Sequence, residues 1–306
     1  MKTDLKIYFS DFWGYEDRLP DGTMASFTFN YSDNYFYHLF NTQYNVILDA
    51  YKPDVLIYGN FGTNHKNYSC KKISMVNENW KGLFPNHNEC NISVSFHPRS
   101  DKNFYFPSWL LYINWFNQAS LRPFPNNPTF LLPIDILLNK NTIPKNNFCS
   151  FIYNNPVQSR IELYNQLSTY KKIDSYGKLF NNMGGAIRGT ELDKLRAMRD
   201  YKFHIAYENG WNSGYVTEKI LHPLAVGSIP IYYGGDMVKE AFNMEGIIYA
   251  SDFKDNNELV EYIKTVDNTP ELYNNILNKS IFNGREIPYE YTPDCVLKWI
   301  INGLGI

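Results

Sequence analysis

Long apolar runs are missing from this 306-residue chain. The longest, Phe130 to Leu138, is interrupted by Pro133 and Asp135 and falls well short of the roughly 18 to 20 apolar residues of a membrane span. The opening Met1 to Phe9 holds no apolar stretch long enough for a signal peptide. The chain therefore reads as soluble and intracellular, either cytoplasmic or peripheral to a membrane. Cysteine is scarce. Cys70, Cys90, Cys149 and Cys295 are scattered and form no C-x-x-C pair, which argues against a disulfide scaffold and leaves free thiols as the expectation. Two glycosylation sequons, Asn67-Tyr68-Ser69 and Asn91-Ile92-Ser93, are matches that an Asn-rich chain produces by chance. An excess of one charge is absent too: 29 Lys plus Arg against 31 Asp plus Glu gives a net −2. Binding along a nucleic-acid backbone needs a positive excess, so that partner is disfavoured.

Several short motifs are also absent. The six histidines show neither H-x-x-x-H nor H-E-x-x-H spacing, so no metal site is expected. There is no D-x-D triplet of the kind that clamps a metal-bound diphosphate. There is no G-x-x-x-x-G-K-[ST] loop, no G-x-G-x-x-G and no G-x-S-x-G.

What is present is aromatic and amide-rich: 25 Tyr, 21 Phe and 37 Asn, with 44% apolar residues. Such a chain can bury a large core, so disorder is excluded. Its length suits two domains or one large one. The Tyr and Asn excess has two readings: a sugar-binding surface of ring faces and amides, or the codon usage of an AT-rich genome.

Short apolar runs closed by Gly or polar turns suit buried parallel strands. Leu5 to Phe9, Val55 to Tyr58 and Lys72 to Val76 are such runs, and Tyr35 to Leu48 can form a helix between the first two. The Pro- and Asn-rich stretch 122–147 reads as an extended connector. A second series follows: strands at Phe148 to Tyr153, Lys172 to Gly177, Lys202 to Tyr207 and Ser228 to Tyr233. Its helices are placed at Ser159 to Tyr170, Thr217 to Val226, Asn257 to Val266, Pro270 to Leu277 and Asp294 to Asn302. Alternating strands and helices on both sides of a connector predict an α/β fold of two units with a cleft between them.

The richest chemistry lies between Tyr201 and Gly235. A strand ends at Tyr207, Glu208-Asn209 and a glycine-containing loop follow, and Tyr215-Val216-Thr217-Glu218-Lys219 opens a helix. A helix N-terminus carries free N–H groups and positive potential, so with Lys219 in its first turn it suits a diphosphate. Glu218 could then accept hydrogen bonds from sugar hydroxyls. Taken alone, the segment is equally an ordinary helix start. Arg160, near another helix start, is unfavourable for the dipole and so needs an anion or simple solvation to explain it. Glu78, just past a strand end in the first half, could face a donor held by the other domain and act as a general base; taken alone its default reading is a solvent-exposed loop carboxylate.

Tyr201 to Asn209, Tyr215 to Ile220 and Gly227 to Gly234 together resemble, in order and spacing, the signature of the α1,3/1,4-fucosyltransferases, glycosyltransferase family 10. Phe12-Trp13-Gly14 resembles the family's early W-W-G, and Val76 to Asn79 its T-G-E-N. Asn155-Pro156 with Arg160 is similar to its S-N-P…R, and Ile173 to Lys178 with Asn181-Asn182 to its D-S-x-G-K…N-N. Two positions depart: Tyr105 stands where the family often has Arg, and His97 where Asp is typical. Both lie in the half expected to hold the acceptor.

The resemblance implies a GT-B fold, two Rossmann-like domains facing across a cleft. It implies an acceptor domain over 1–130 carrying the base, a connector over 131–147, a GDP-fucose domain over 148–285, and a C-terminal helix over 286–306 placed to pack back on the first domain. It implies transfer of L-fucose from GDP-fucose, with inversion, to a glycan hydroxyl, O3 of GlcNAc in an N-acetyllactosamine-type acceptor by default. Glu78 would be the base. Arg160, Asn209, Tyr215, Glu218 and Lys219 would bind the donor, supported by Ser175, Gly177, Lys178 and Glu208. Trp13, Trp80 and Trp109 fall on the acceptor side, where ring faces could stack on a sugar. No metal is implied. The alternatives are another GDP-deoxysugar donor or another acceptor on the same fold, a non-catalytic carbohydrate-binding relative, or a hydrolase.

Overall fold

The computed structural model describes residues 2–12, 17–18, 24–25, 34–80, 83–117, 131–140, 143–187 and 190–306. Its strands, in chain order, are β1 (Asp4–Ser10), β2 (Asp17–Arg18), β3 (Met24–Ala25), β4 (Asn45–Leu48), β5 (Val55–Tyr58), β6 (Lys71–Val76), β7 (Ile92–Ser95) and β8 (Asn103–Tyr105), then β9 (Asn147–Phe151), β10 (Ile173–Ser175), β11 (Tyr201–Tyr207), β12 (Ile229–Tyr233) and β13 (Ile248–Tyr249). The helices are α1 (Tyr35–Asn41), α2 (Ile134–Leu138), α3 (Gln158–Ser168), α4 (Glu191–Met198), α5 (Glu218–Ala225), α6 (Val238–Ala241), α7 (Asn256–Asn268), α8 (Pro270–Leu277) and α9 (Pro293–Leu304).

Two wholly parallel sheets result. The first runs β4-β1-β5-β6-β7-β8 and the second β10-β9-β11-β12-β13; β2 and β3 form a separate antiparallel pair. The central strands read as unbroken apolar runs because helices cover both faces; β5, for one, is buried at all four residues. All strand C-termini of a parallel sheet share one edge. The loops after β1, β5 and β6 therefore stand side by side on the first sheet, and the loops after β9 and β11 on the second.

The helix expected over Tyr35 to Leu48 stops at Asn41. Apolar spacing at Tyr35, Phe36, Leu39 and Phe40 supports two turns, and then the pattern ends. β4, which contains the β-branched Val46 and Ile47, pairs with β1 as an edge strand instead. The connector is not extended throughout, since α2 lies within it. Thr217 caps α5 as expected, and the helix continues through Pro223. Gly227 then takes a left-handed φ of +68°.

One buried apolar cluster passes through both sheets. It joins Phe9, Ile57, Val94 and Trp109 to Val216, Ile220, Tyr232 and Phe242, and to Val296, Leu297 and Ile300 of α9. A second lies behind the other face of the second sheet, where Phe151, Phe203 and Ile231 meet Leu259 and Ile263 of α7. C-terminal α9 packs against α1 and β7 of the first sheet. Among the described residues no helix is long and apolar enough to cross a membrane, and all four cysteines are free.

Candidate functional site

A cavity of about 240 Å3 opens at the strand ends of the second sheet. Arg160, Asn209, Glu218 and Lys219 line it together, with Tyr153, Asn154 and Asn155 from the loop after β9. The sequence thus brings four of its five expected donor residues to one place.

Arg160 is not a solvated surface residue. It is 1% exposed. Its Nε and Nη2 donate to the Tyr207 carbonyl at 3.2 and 2.8 Å, Nη2 also donates to Asn209 Oδ1 at 2.6 Å, and the guanidinium lies 3.9 Å over the Tyr153 ring. A buried, stacked, multiply bonded guanidinium is a fixed charge with other donors still to offer.

Lys219 stands at the N-terminus of α5. Its Nζ is 3.1 Å from Thr217 Oγ1, 3.2 Å from Glu218 Oε1 and 3.3 Å from Glu208 Oε2. Burial opposes the charge, but Glu218 and Glu208 hold the ammonium pKa well above its ordinary value. Burial likewise opposes ionisation of Glu218, yet Lys219, His222 and Lys194 pull that carboxyl down to about 2. Glu208 is fully buried, and desolvation pushes its pKa up despite Lys219. The Thr217 N–H and hydroxyl both reach Glu208 Oε1 at 2.9 Å. Glu208 therefore braces the helix start from beneath and does not line the cavity.

The other residues expected at the donor site stand outside the cavity lining. Tyr215 is 4% exposed and does not line the cavity; it packs edge-on against Phe96 of the first sheet, ring centroids 5.4 Å apart. Ser175 is buried and donates to the Leu179 carbonyl at 2.6 Å. Gly177 is needed for close approach, since a Cβ there would fall 2.0 Å from the Tyr153 carbonyl oxygen. Lys178 is exposed, and its N–H donates to Asn154 at 3.0 Å. These three shape the loop that carries Tyr153 and Asn154 and do not themselves line the cavity.

Sequence reasoning missed Glu191, Lys194 and His222. All three line the same cavity. Glu191 is 7% exposed and accepts from Lys194 at 2.7 Å, with His222 Nδ1 3.5 Å away. Glu191 Oε2 and His222 Nε2 are buried with no hydrogen-bond partner, the condition of polar atoms that a ligand would satisfy. The capping box of Thr190 and Asp193 is the signal that could have located α4; nothing in the sequence marks which way Glu191 faces.

Across the gap, Glu78 follows β6. It keeps an exposed surface, yet partial desolvation raises its pKa, while Lys219 lowers it and Glu218 raises it. The carboxylate of one sheet therefore feels the charges of the other. The two loops touch where Asn79 Nδ2 donates to the Gly210 carbonyl at 3.3 Å. Close packing continues at Gly214, where a Cβ would sit 1.9 Å from the Phe96 carbonyl oxygen.

The three acceptor-side tryptophans separate. Trp13 lies outside the described residues. Trp80 is 50% exposed beside Glu78. Trp109 is a correction: at 1% exposure it packs on Phe242, Phe282 and Tyr291 and offers no ring face to a sugar. Also unforeseen is a clamp behind this loop. His65 Nδ1 lies 2.6 Å from Asp11 Oδ2 and Nε2 3.0 Å from Glu89 Oε2, with the imidazole stacked on Tyr58. Asp11 also accepts the N–H groups of Phe61, Asn64 and His65, each at 2.9 Å. Phe61 in turn meets Trp80 edge-on at 5.4 Å. Among the described residues no group of three or more His, Cys, Asp or Glu side chains could hold a metal ion.

Known proteins resemble this chain in sequence and in fold. Residues 144–279 match the family model for the C-terminal part of glycosyltransferase family 10 (fucosyltransferase), and residues 23–112 match the N-terminal domain model of alpha-(1,3)-fucosyltransferase FucT. The chain is 31% identical over 140 residues to alpha-(1,3)-fucosyltransferase FucT of Helicobacter pylori, a match covering 45% of this chain and 28% of that one. It is 28% identical over 126 residues to 4-galactosyl-N-acetylglucosaminide 3-alpha-L-fucosyltransferase 9 of Bos taurus, covering 40% and 34%. The matched stretches thus span only 28% and 34% of those relatives' length. A crystal structure of an alpha1,3-fucosyltransferase with GDP-fucose superposes with a TM-score of 0.75 at 21% identity, over 100% of this chain and 92% of that one. The shared architecture is GT-B, two Rossmann-like domains facing across a cleft. With both family models matched in order and the fold common to the whole chain, this protein belongs to glycosyltransferase family 10, the fucosyltransferases.

Proposed function

We propose that the chain transfers L-fucose from GDP-fucose to a glycan hydroxyl, with O3 of GlcNAc in an N-acetyllactosamine-type acceptor as the default target. One observation carries the reading. Arg160 and Lys219 converge on a cavity at the capped N-terminus of α5, and the Glu78 carboxylate that follows β6 is near enough for Lys219 and Glu218 to act on its raised pKa.

The geometry suits a single displacement. The diphosphate lies against Lys219, Arg160 and the α5 N–H groups, which take up the negative charge that grows as it departs. Asn209 and Glu218 offer hydrogen-bond acceptors to ribose or sugar hydroxyls. Glu78 takes the proton of the acceptor hydroxyl, whose oxygen forms the new bond to the fucose anomeric carbon as the bond to the diphosphate oxygen breaks. The electron pair of that bond leaves on GDP. Attack from the face opposite the leaving group turns the β-linked donor into an α-linked product. A raised pKa suits Glu78, because a stronger base takes a hydroxyl proton more readily.

The test is incubation with GDP-fucose and N-acetyllactosamine, with product linkage read by NMR. An α1,3-linked fucose on GlcNAc is the expected result. Absence of any fucosylated product across a glycan array would overturn the reading.

A further inference from the structure

One lysine of the connector reaches the far ends of two helices whose near ends build the cavity around Arg160 and Lys219. Lys145, two residues ahead of β9, donates from Nζ to the Arg199 carbonyl at 2.5 Å and to the Val226 carbonyl at 2.8 Å. Those two residues are the C-caps of α4 and α5. The last carbonyls of a helix have no partner within it and carry the negative end of its dipole, so a shared ammonium suits both ends. At their other ends, Glu191 and Lys194 of α4 and Glu218 and Lys219 of α5 line the cavity.

The two helices are not held equally. α5 buries every residue from Ile220 to Ala225 and belongs to the core. α4 buries only Glu191, Leu195 and Met198 and rests against α5. Glu191, Lys194 and Met198 put one side of α4 along the cavity wall from its first turn to its last, so a change in the tilt of α4 reshapes that wall. At the cavity end the link between the helices is long, with His222 Nδ1 3.5 Å from Glu191 Oε2. At the other end Lys145 ties the outer helix to the inner one through both of its hydrogen bonds.

We propose that Lys145 is a positioning residue for nucleotide binding, pinning α4 to α5 by their C-termini and so setting how closely the α4 wall stands to Lys219. This rests on the donor reading and adds a control on donor affinity from outside the cavity. The pin is also sensitive to alkali. Burial pushes the Lys145 pKa down to about 8; Asp200 favours its charge, while Arg199 and Lys140 oppose it. The ammonium present below that value is lost as pH rises through it. The two hydrogen bonds then lose their charge assistance and the helix dipoles their counter-charge.

Calorimetry measures GDP affinity of the wild-type chain, Lys145→Met, Lys145→Arg and Lys140→Arg between roughly pH 7 and pH 9. At the lower pH, Lys145→Met should bind GDP about tenfold more weakly, and Lys145→Arg should bind it as the wild type does. Across the range the wild type should lose about fivefold in affinity, as a pKa of about 8 and that tenfold difference require. The loss should vanish in Lys145→Arg, whose guanidinium stays charged, and persist in Lys140→Arg. Affinity of Lys145→Met within about twofold of wild type at the lower pH, or an alkaline loss that survives in Lys145→Arg, overturns the proposal. Hydrogen exchange at the lower pH reads the pin without nucleotide: amides of α4 should exchange faster in Lys145→Met while those of α7 keep their rates. If GDP fails to bind the wild type, the donor reading falls instead, and the exchange comparison decides the pin, with unchanged α4 rates overturning it.

Discussion

The two halves of the site are built in opposite ways. On the donor side, charged groups are buried and bound to one another: Arg160 to Tyr207 and Asn209, Lys219 to Thr217, Glu208 and Glu218. On the proposed acceptor side, Glu78 and Trp80 are open to solvent, and Asp11, bound to His65 and to the N–H of Phe61, supports the ring that packs on Trp80. A diphosphate is a fixed, highly charged shape, so a prearranged polar cavity suits it and costs little reorganisation when the reaction occurs. A neutral glycan offers weaker and more varied handles. A half-open aromatic surface can meet those, provided the loop under it is held.

That contrast can be broken by substitution, and the largest effect is expected at the proposed base. Glu78→Gln should lower turnover with GDP-fucose by about 10³-fold or more while calorimetry finds GDP binding unchanged, since a general base acts only in the transition state. A fully active Glu78→Gln removes it from the role. Next come the cations. Lys219→Ala and Arg160→Ala should each cost on the order of 10² to 10³ in kcat. Arg160→Lys should not rescue, because one ammonium cannot reproduce the fork that spans Tyr207 and Asn209 while stacking on Tyr153.

The coupling across the cleft supplies a finer test. In its proposed role Glu78 must be ionised, and its pKa is raised. Activity should therefore fall as pH drops through a value above the ordinary carboxylate range, seen as the acid limb of kcat/KM. Lys219 holds that pKa down against desolvation, so in Lys219→Ala the same limb should move to higher pH. A limb that stays put would mean the two half-sites do not sense each other. A last test reads stability at the two tryptophans that the structure separates. Trp109→Ala should destabilise by about 3 to 5 kcal/mol through its cavity, whereas Trp80→Ala should leave thermal stability within about 0.5 kcal/mol.

The donor half was far more legible in the sequence than the acceptor half. Tyr215 to Lys219 could be placed at a helix start because capping is local chemistry, and Thr217 caps α5 as the residue type predicts. Where a side chain points at long range is not local. Trp80 and Trp109 read alike as rings in the first half, yet one faces solvent and the other fills the core. Tyr215 belongs to a donor-type motif but packs on Phe96 of the opposite sheet. Short strands also escaped. β7 and β8 run to four and three residues, too short for an alternation to stand out. Asp11, His65 and Glu89 are each an unremarked polar residue until β1 and β5 are set side by side.

The apolar cluster shared by the two sheets has a consequence for how the molecule comes apart. Because Val216, Ile220 and Phe242 of the second domain sit in the same buried cluster as Phe9, Ile57 and Val94 of the first, with α9 sealing it, neither domain owns a complete interior. Separating them would lay bare surface that both need covered. The chain should melt in a single calorimetric transition. A fragment ending in the connector should be unable to hold its fold, because the last helix of the sequence lines the interior of its first domain.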